Sequence, residues 1–255
     1  MKKFIKKTIN KLGFDLKKIN SSFKVKNLSF NDLLKDKISK NPVIFDIGAN
    51  QGQSIERFLK IFNNPIIHSF EPIKSDFDIM YKKYKDNKNI YLNNFALGNK
   101  TEEKEFNITA KTETSSFNKI TLGTDWLKAR SKKWNTTEEG FVISVQKVSV
   151  KKLDDYCKDN RINLIDLMKI DTQGYEDKVL EGSINTIEKN KIKAIETEII
   201  WNNVYDKYFS FFDLEKYLIP NNFRMVGLES SSNNLFSYKK FDGELIYFNK
   251  KYFDI

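Results

Sequence analysis

Short apolar runs recur along the chain, and most of them end in an acid or a glycine-containing turn and lead into a stretch of helical period. The first, Val43–Ile47, continues as VIFDIGANQGQS, after which Ile55, Phe58, Leu59 and Phe62 repeat at helical spacing and predict a helix over 54–61. Ile66–Phe70 closes on Glu71-Pro72 and precedes a helix over 75–84; a run over 90–95 closes on Ala96-Leu97-Gly98; a run over 164–170 closes on Asp171 and precedes a helix over 177–190; a run over 194–199 carries Glu196 and Glu198. Strands buried on both faces are apolar throughout, and strands that alternate with helices build a parallel sheet. The expected fold is therefore α/β: a doubly wound, Rossmann-like sheet of about seven strands. FRMVGLE and GELIYFNKKY, with no helical pattern between them, predict an antiparallel closing pair and an antiparallel last strand.

Two regions depart from this alternation. Between about 101 and 150 the period becomes strand-like, with EKEFNIT and FVISVQKVSV flanking a polar stretch, which predicts an inserted β-rich cap. Residues 1–40 are lysine-rich and are read as a basic N-terminal helical extension before one domain over 41–255. The net charge of +10 is concentrated there, so the extension either docks on its own domain or meets an anionic membrane surface or partner, and nucleic acid is not the expected partner. No apolar run is long enough to span a bilayer and the N-terminus lacks the apolar core of a secretion signal, which points to the cytoplasm. The single cysteine, Cys157, excludes an internal disulfide and is read as a small buried residue.

In an open parallel sheet, ligands bind at the carboxyl ends of the strands. Here those ends carry Asp46 and Gly48, Glu71, Ala96-Leu97, Asp171, and Glu196 with Glu198. Gly48 and Gly52 let the backbone approach a ligand, and Asn50 tolerates positive φ. Glu71, 25 residues beyond Asp46, stands where a carboxylate accepts ribose hydroxyls in dinucleotide folds. The G-x-G-x-x-G pattern is absent, and an acid directly before the first glycine repels a pyrophosphate but suits a cationic tail. A nicotinamide-dependent sugar-modifying enzyme and a non-enzymatic membrane- or RNA-associated module are the competing readings.

The pieces DIGANQGQ, FEP, NNFALGN, VSVKKLDDY and LMKIDTQGYE, in that order across about 41–199, resemble the FkbM family of methyltransferases. The resemblance implies S-adenosylmethionine as methyl donor, held by Asp46, Gly48, Asn50, Gly52, Gln53, Ser54, Glu71, Pro72, Asn94, Ala96, Leu97 and Asp171. It also implies O-methylation of a small molecule, a nucleotide-linked or surface-polysaccharide sugar. Such a transfer requires alignment and removal of the hydroxyl proton. Asp171 is the first expectation for that acceptor, its other reading being a helix cap, and Glu198 is the second. Gln173, where many of the family have glutamate, is assigned to the acceptor side with Tyr175, Glu176, Glu196, Trp201 and Ser116. Asp171, Glu196 and Glu198 are oxygen ligands that a divalent metal would accept, but no diagnostic spacing accompanies them and no metal site is assigned. His68, inside an apolar strand, is read as a core histidine.

Overall fold

The computed structural model describes residues 29–200, 203–207, 210–229 and 242–255. In chain order the elements are α1 (Phe30–Lys37), β1 (Val43–Ile47), α2 (Gln53–Ile61), β2 (Ile66–Phe70), α3 (Lys74–Tyr84), β3 (Ile90–Asn93), β4 (Ala96–Leu97), β5 (Glu102–Thr109), α4 (Asp125–Lys133), β6 (Val142–Lys151), α5 (Leu153–Asp159), β7 (Ile165–Ile170), α6 (Glu176–Glu181), α7 (Ile184–Glu188), β8 (Ile192–Ile200), α8 (Phe211–Leu218), β9 (Phe223–Glu229) and β10 (Asp242–Asn249).

Seven strands form one sheet in the order β3-β2-β1-β7-β8-β10-β9. The first five of these pair in parallel, while β10 runs antiparallel to both β8 and β9. β7 is buried at every position because it lies mid-sheet under helices on both faces. Alternation divides its side chains: Met168 and Ile170 face Leu153, Val179, Leu180 and Leu214 of α5, α6 and α8. Leu167 faces the other way, with Ile44, Ala194 and Ile246, against Phe30, Leu34 and Phe58 of α1 and α2.

That second face also carries charge. Asp46 pairs in register with Lys169, and Lys169 with Glu196, so three ionisable side chains lie side by side across β1, β7 and β8, all of them buried. Arg57 of α2 covers the row and binds Glu196 at 2.6 Å.

The main sheet loses its third strand earlier than the apolar run suggests. Asn94 turns its amide onto the carbonyls of Glu71 and Pro72, and Ala96-Leu97 leave to pair with β6 in a second, three-stranded sheet. β5 and β6 form the long antiparallel hairpin of the insert, as its period predicts. Between them, however, the chain forms α4, capped by the Thr124 hydroxyl on the Leu127 amide. The helix expected over 177–190 is broken into α6 and α7. Gly182 lies between them, where a β-carbon would meet the Gly98 carbonyl oxygen at 1.9 Å, and Asp154 caps the second piece on the Asn185 and Thr186 amides. No helix among the described residues is long and apolar enough to cross a membrane. The basic segment before residue 29, and Trp201, lie outside the described residues.

Candidate active site

The turn after β1 is built by close backbone contact. Gly48 has φ +82°, and a β-carbon there would sit 1.9 Å from the Asp171 carbonyl oxygen, so only glycine lets this turn meet the exit of β7. The Asp171 amide donates to the Ile47 carbonyl at 2.9 Å, closing the junction. Asn50 takes φ +47° and its amide donates to Glu71 Oε2 at 2.8 Å, while the Ile73 amide donates to Oε1 at 2.7 Å. Glu71 is thereby clamped at the β2 exit. Burial pushes its carboxyl up to about 8, further than these two amides hold it down. Gly52, Gln53 and Ser54 open α2 behind the turn, and Gln53 Nε2 donates to Asn50 Oδ1.

A cleft runs across these strand ends. Glu71, Pro72, Ala96, Leu97, Phe117, Asp171 and Gln173 are among the residues that line it. Asp46 does not line it. The expectation that Asp46 touches a ligand is corrected: the two-residue period of β1 turns it to the α2 face with Ile44, fully buried. Both its carboxylate oxygens lack a hydrogen-bond partner there. Burial drives its carboxyl up to about 6, against the pull of Lys169 and Arg57.

The β7 exit holds the chemistry. Gln173 and Gly174 take φ +56° and +88°, and Glu176 secures this turn: its Oε1 accepts from the Thr172 amide, the Thr172 hydroxyl and the Gly174 amide. The Ser116 hydroxyl donates to the Gln173 carbonyl at 2.7 Å and Asn118 Nδ2 to the Gly174 carbonyl at 2.7 Å. So held, the Gln173 amide nitrogen donates to Asp171 Oδ1 at 3.1 Å and to Glu198 Oε2 at 2.7 Å, while its oxygen accepts from the Tyr205 hydroxyl at 3.1 Å. A carboxamide can bridge two carboxyls because its nitrogen donates; an ionised glutamate would have no donor for either and would add a further negative charge.

The two bridged acids are driven apart. Burial raises the Asp171 carboxyl, but the Lys169 ammonium, 3.0 Å from Oδ2, and the hydrogen bonds from Lys169 and Gln173 outweigh it and leave it below the usual carboxylate range. Among the described residues Glu198 has no such cation. Burial, then the charges of Asp171, Glu176 and Glu244, hold it well above that range. The site thus sets an acid whose charge its surroundings favour beside one whose charge they oppose.

Beyond Gln173 a second cavity opens between Glu198, Asp242 and the insert, with Trp126, Arg130 and Glu113 on its outer wall. Gln173 lines both spaces.

The sequence profile of the methyltransferase FkbM domain matches residues 46–225, from the last turn of β1 into β9. The chain belongs to the FkbM methyltransferase family. Among solved structures, methyltransferase FkbM from Methylobacillus flagellatus KT matches with a TM-score of 0.53 at 15% identity, over 89% of this chain and 46% of its own. The chain therefore spans less than half the length of that protein. A SAM-dependent methyltransferase from Aquifex aeolicus matches with a TM-score of 0.43 at 11% identity, over 95% of this chain and 97% of its own. A putative RNA methyltransferase from Pyrococcus horikoshii matches with 0.43 at 9%, over 86% and 80%. No curated protein matches the chain.

Within this FkbM fold the residues read from sequence separate into three groups. Glu71, Pro72, Ala96, Leu97, Asp171 and Gln173 line the cleft with Gly48 and Asn50, and Glu198 lines the adjoining cavity. Asn94, Gln53 and Ser116 hydrogen-bond to the loops without lining either space, and Gly52 and Ser54 stand at the start of α2. The expectation of substrate contact fails for three residues. Glu176 is spent on the β7 turn; Tyr175 is buried under Phe117, its hydroxyl accepting from Lys104 Nζ; and Glu196 lies beneath the sheet surface on Arg57. Among the described residues no three His, Cys, Asp or Glu side chains are grouped to hold a metal ion. His68 is buried, stacked on Tyr91 and bonded to the Tyr156 hydroxyl, with burial lowering its pKa to about 4. Sequence reasoning missed Arg130 and Asp242, which belong to no motif and reach the site only through folding.

Proposed function

We propose that the protein transfers a methyl group from S-adenosylmethionine to a hydroxyl of a small molecule, a nucleotide-linked or surface-polysaccharide sugar. The observation that carries this reading is the meeting of two cavities at Gln173, one bounded by the clamped Glu71, the other by Glu198. The cleft residues fit the donor. Glu71, poised at the β2 exit with its oxygens fixed by two amides, accepts from ribose hydroxyls, and the walls of Leu97 and Phe117 suit a purine. S-adenosylmethionine supplies an electrophilic methyl carbon on a positively charged sulfur.

The chain's own residues then have to position a hydroxyl and relieve it of its proton. Asp171 accepts that proton on a carboxylate oxygen, each of its oxygens holding one donor and a further lone pair. Glu198, whose charge its surroundings oppose, is the second acid on the acceptor side. Glu113 and Glu198, on the lining of the second cavity, offer the polar groups on which the hydroxyls of a sugar are bound. Work in the cytoplasm follows from the donor's location and belongs to the same proposal. Calorimetry with S-adenosylhomocysteine followed by transfer of labelled methyl to a panel of nucleotide-sugars tests it; absence of donor binding at millimolar concentration overturns it.

A further inference from the structure

The outer wall of the second cavity has an organisation that hydroxyl recognition does not use. Trp126, Arg130 and Trp134 stand four residues apart along α4 and its C-terminal cap, and so share one face. Both indoles rest on Phe141, with ring centroids 5.5 Å and 5.2 Å away. The Arg130 guanidinium lies over this platform, 5.8 Å from the Trp126 ring and 5.6 Å from the Trp134 ring. It is half-buried, opens onto the cavity, and among the described residues no carboxylate lies within ion-pair distance of it. Glu198, across the cavity, is already bonded to Gln173. A guanidinium fixed by flanking rings on the lining of a cavity is pre-organised for a planar or tetrahedral oxyanion.

Resting on the proposed methyl transfer, we infer that Arg130 is an anion-binding residue for the acceptor, which therefore carries a carboxylate or phosphate close to the hydroxyl that is methylated. The anion takes the guanidinium's free donors, while Trp126, itself buried, holds the guanidinium in place. Among the described residues Arg130 is the one cation on a lining that also holds Glu113, Glu198 and Asp242, so it is the group that an anion on the acceptor would meet.

Two of the chain's three tryptophans flank Arg130, which gives a direct readout. Tryptophan fluorescence is titrated with methyl glucoside, glucuronate and UDP-glucose, with and without S-adenosylhomocysteine, for the full chain and for Arg130→Gln. The expected result is at least ~10-fold tighter binding of a charged probe than of the neutral glucoside, about 1.4 kcal/mol. That margin should collapse in Arg130→Gln, with the circular dichroism spectrum and S-adenosylhomocysteine affinity unchanged. Preference for glucuronate assigns the charge to the sugar, and preference for UDP-glucose assigns it to a phosphate linkage. Equal binding of all three probes, no response to either charged one, or a preference that survives Arg130→Gln overturns the inference. Donor binding in calorimetry without charge preference sinks this inference alone, whereas absence of donor binding sinks the transferase reading itself.

Discussion

Lys169 and Asp171, two residues apart on one strand, point the same way at the end of β7, and the ammonium of the first stands 3.0 Å from Oδ2 of the second. Lys169 is buried, and its charge is held by Asp171, Asp46, Glu244 and Glu196 against the burial that opposes it. The strand thus delivers both an acid and the cation that keeps it ionised.

Replacing Lys169 with methionine leaves Asp171 in a buried setting without its cation. Its pKa rises, so the acid limb of the pH–rate profile should move to higher pH, with a loss of ~1–3 kcal/mol in stability, because the Asp171 side chain is 33% exposed and partly solvated. Lys169→Arg should restore part of the profile. An acid limb that stays in place in the methionine variant shows that Asp171 is not the group titrating there.

Gln173→Glu tests the bridge. It removes both donated hydrogen bonds and sets a third carboxylate beside Asp171 and Glu198, and turnover should fall by ~10²-fold or more with donor affinity nearly unchanged. Single-turnover kinetics with calorimetry separates the two effects. Equal turnover in the variant would mean that the amide's donors have no part in the reaction.

Glu71 makes the resting protein sensitive to pH. Its folded pKa, about 8, lies above that of an unfolded glutamate, so the native state binds the extra proton and stability should decline as pH rises from about 4.5 to 8. Asp46, at about 6, acts in the same direction over the lower part of that window. Glu71→Gln should flatten the decline in urea titrations and weaken S-adenosylhomocysteine binding by ~10-fold or more. A variant with the wild-type slope would show that Glu71 is not the source.

Gly48→Ala places a methyl group on the Asp171 carbonyl. The clash and the positive φ together should cost upwards of ~2 kcal/mol, read as a lowered urea midpoint, and should depress activity further by shifting Asp171. Unchanged stability would mean the two strand exits are not in contact.

The strands of the parallel core were legible because each is a continuous apolar run, and Glu71 and Asp171 were legible because they stand where those runs stop. Asp46 shows the limit of that rule. It ends the first run as plainly as the others, yet the period of β1 assigns it to the face shared by Ile44, and only the register with Lys169 and Glu196 makes its surroundings visible. Glu176 was misread for another reason: an acid just after a positive-φ turn either faces a ligand or satisfies that turn's amides, and sequence alone does not separate these. α4 escaped notice because its strand-like flanks dominate the local period and its helix is mostly charged, although tryptophans eight residues apart with an arginine midway are a helical face in retrospect.

The β7 turn is gripped from outside by Ser116 and Asn118, both from the insert, and by Tyr205 beyond β8. Specificity and chemistry in this chain are consequently not separate modules. An evolutionary or laboratory exchange of the insert, made to acquire a new acceptor, would also carry away two of the clasps on the reactive loop, so viable exchanges are those whose replacement segment returns a hydroxyl and an amide to the same two carbonyls.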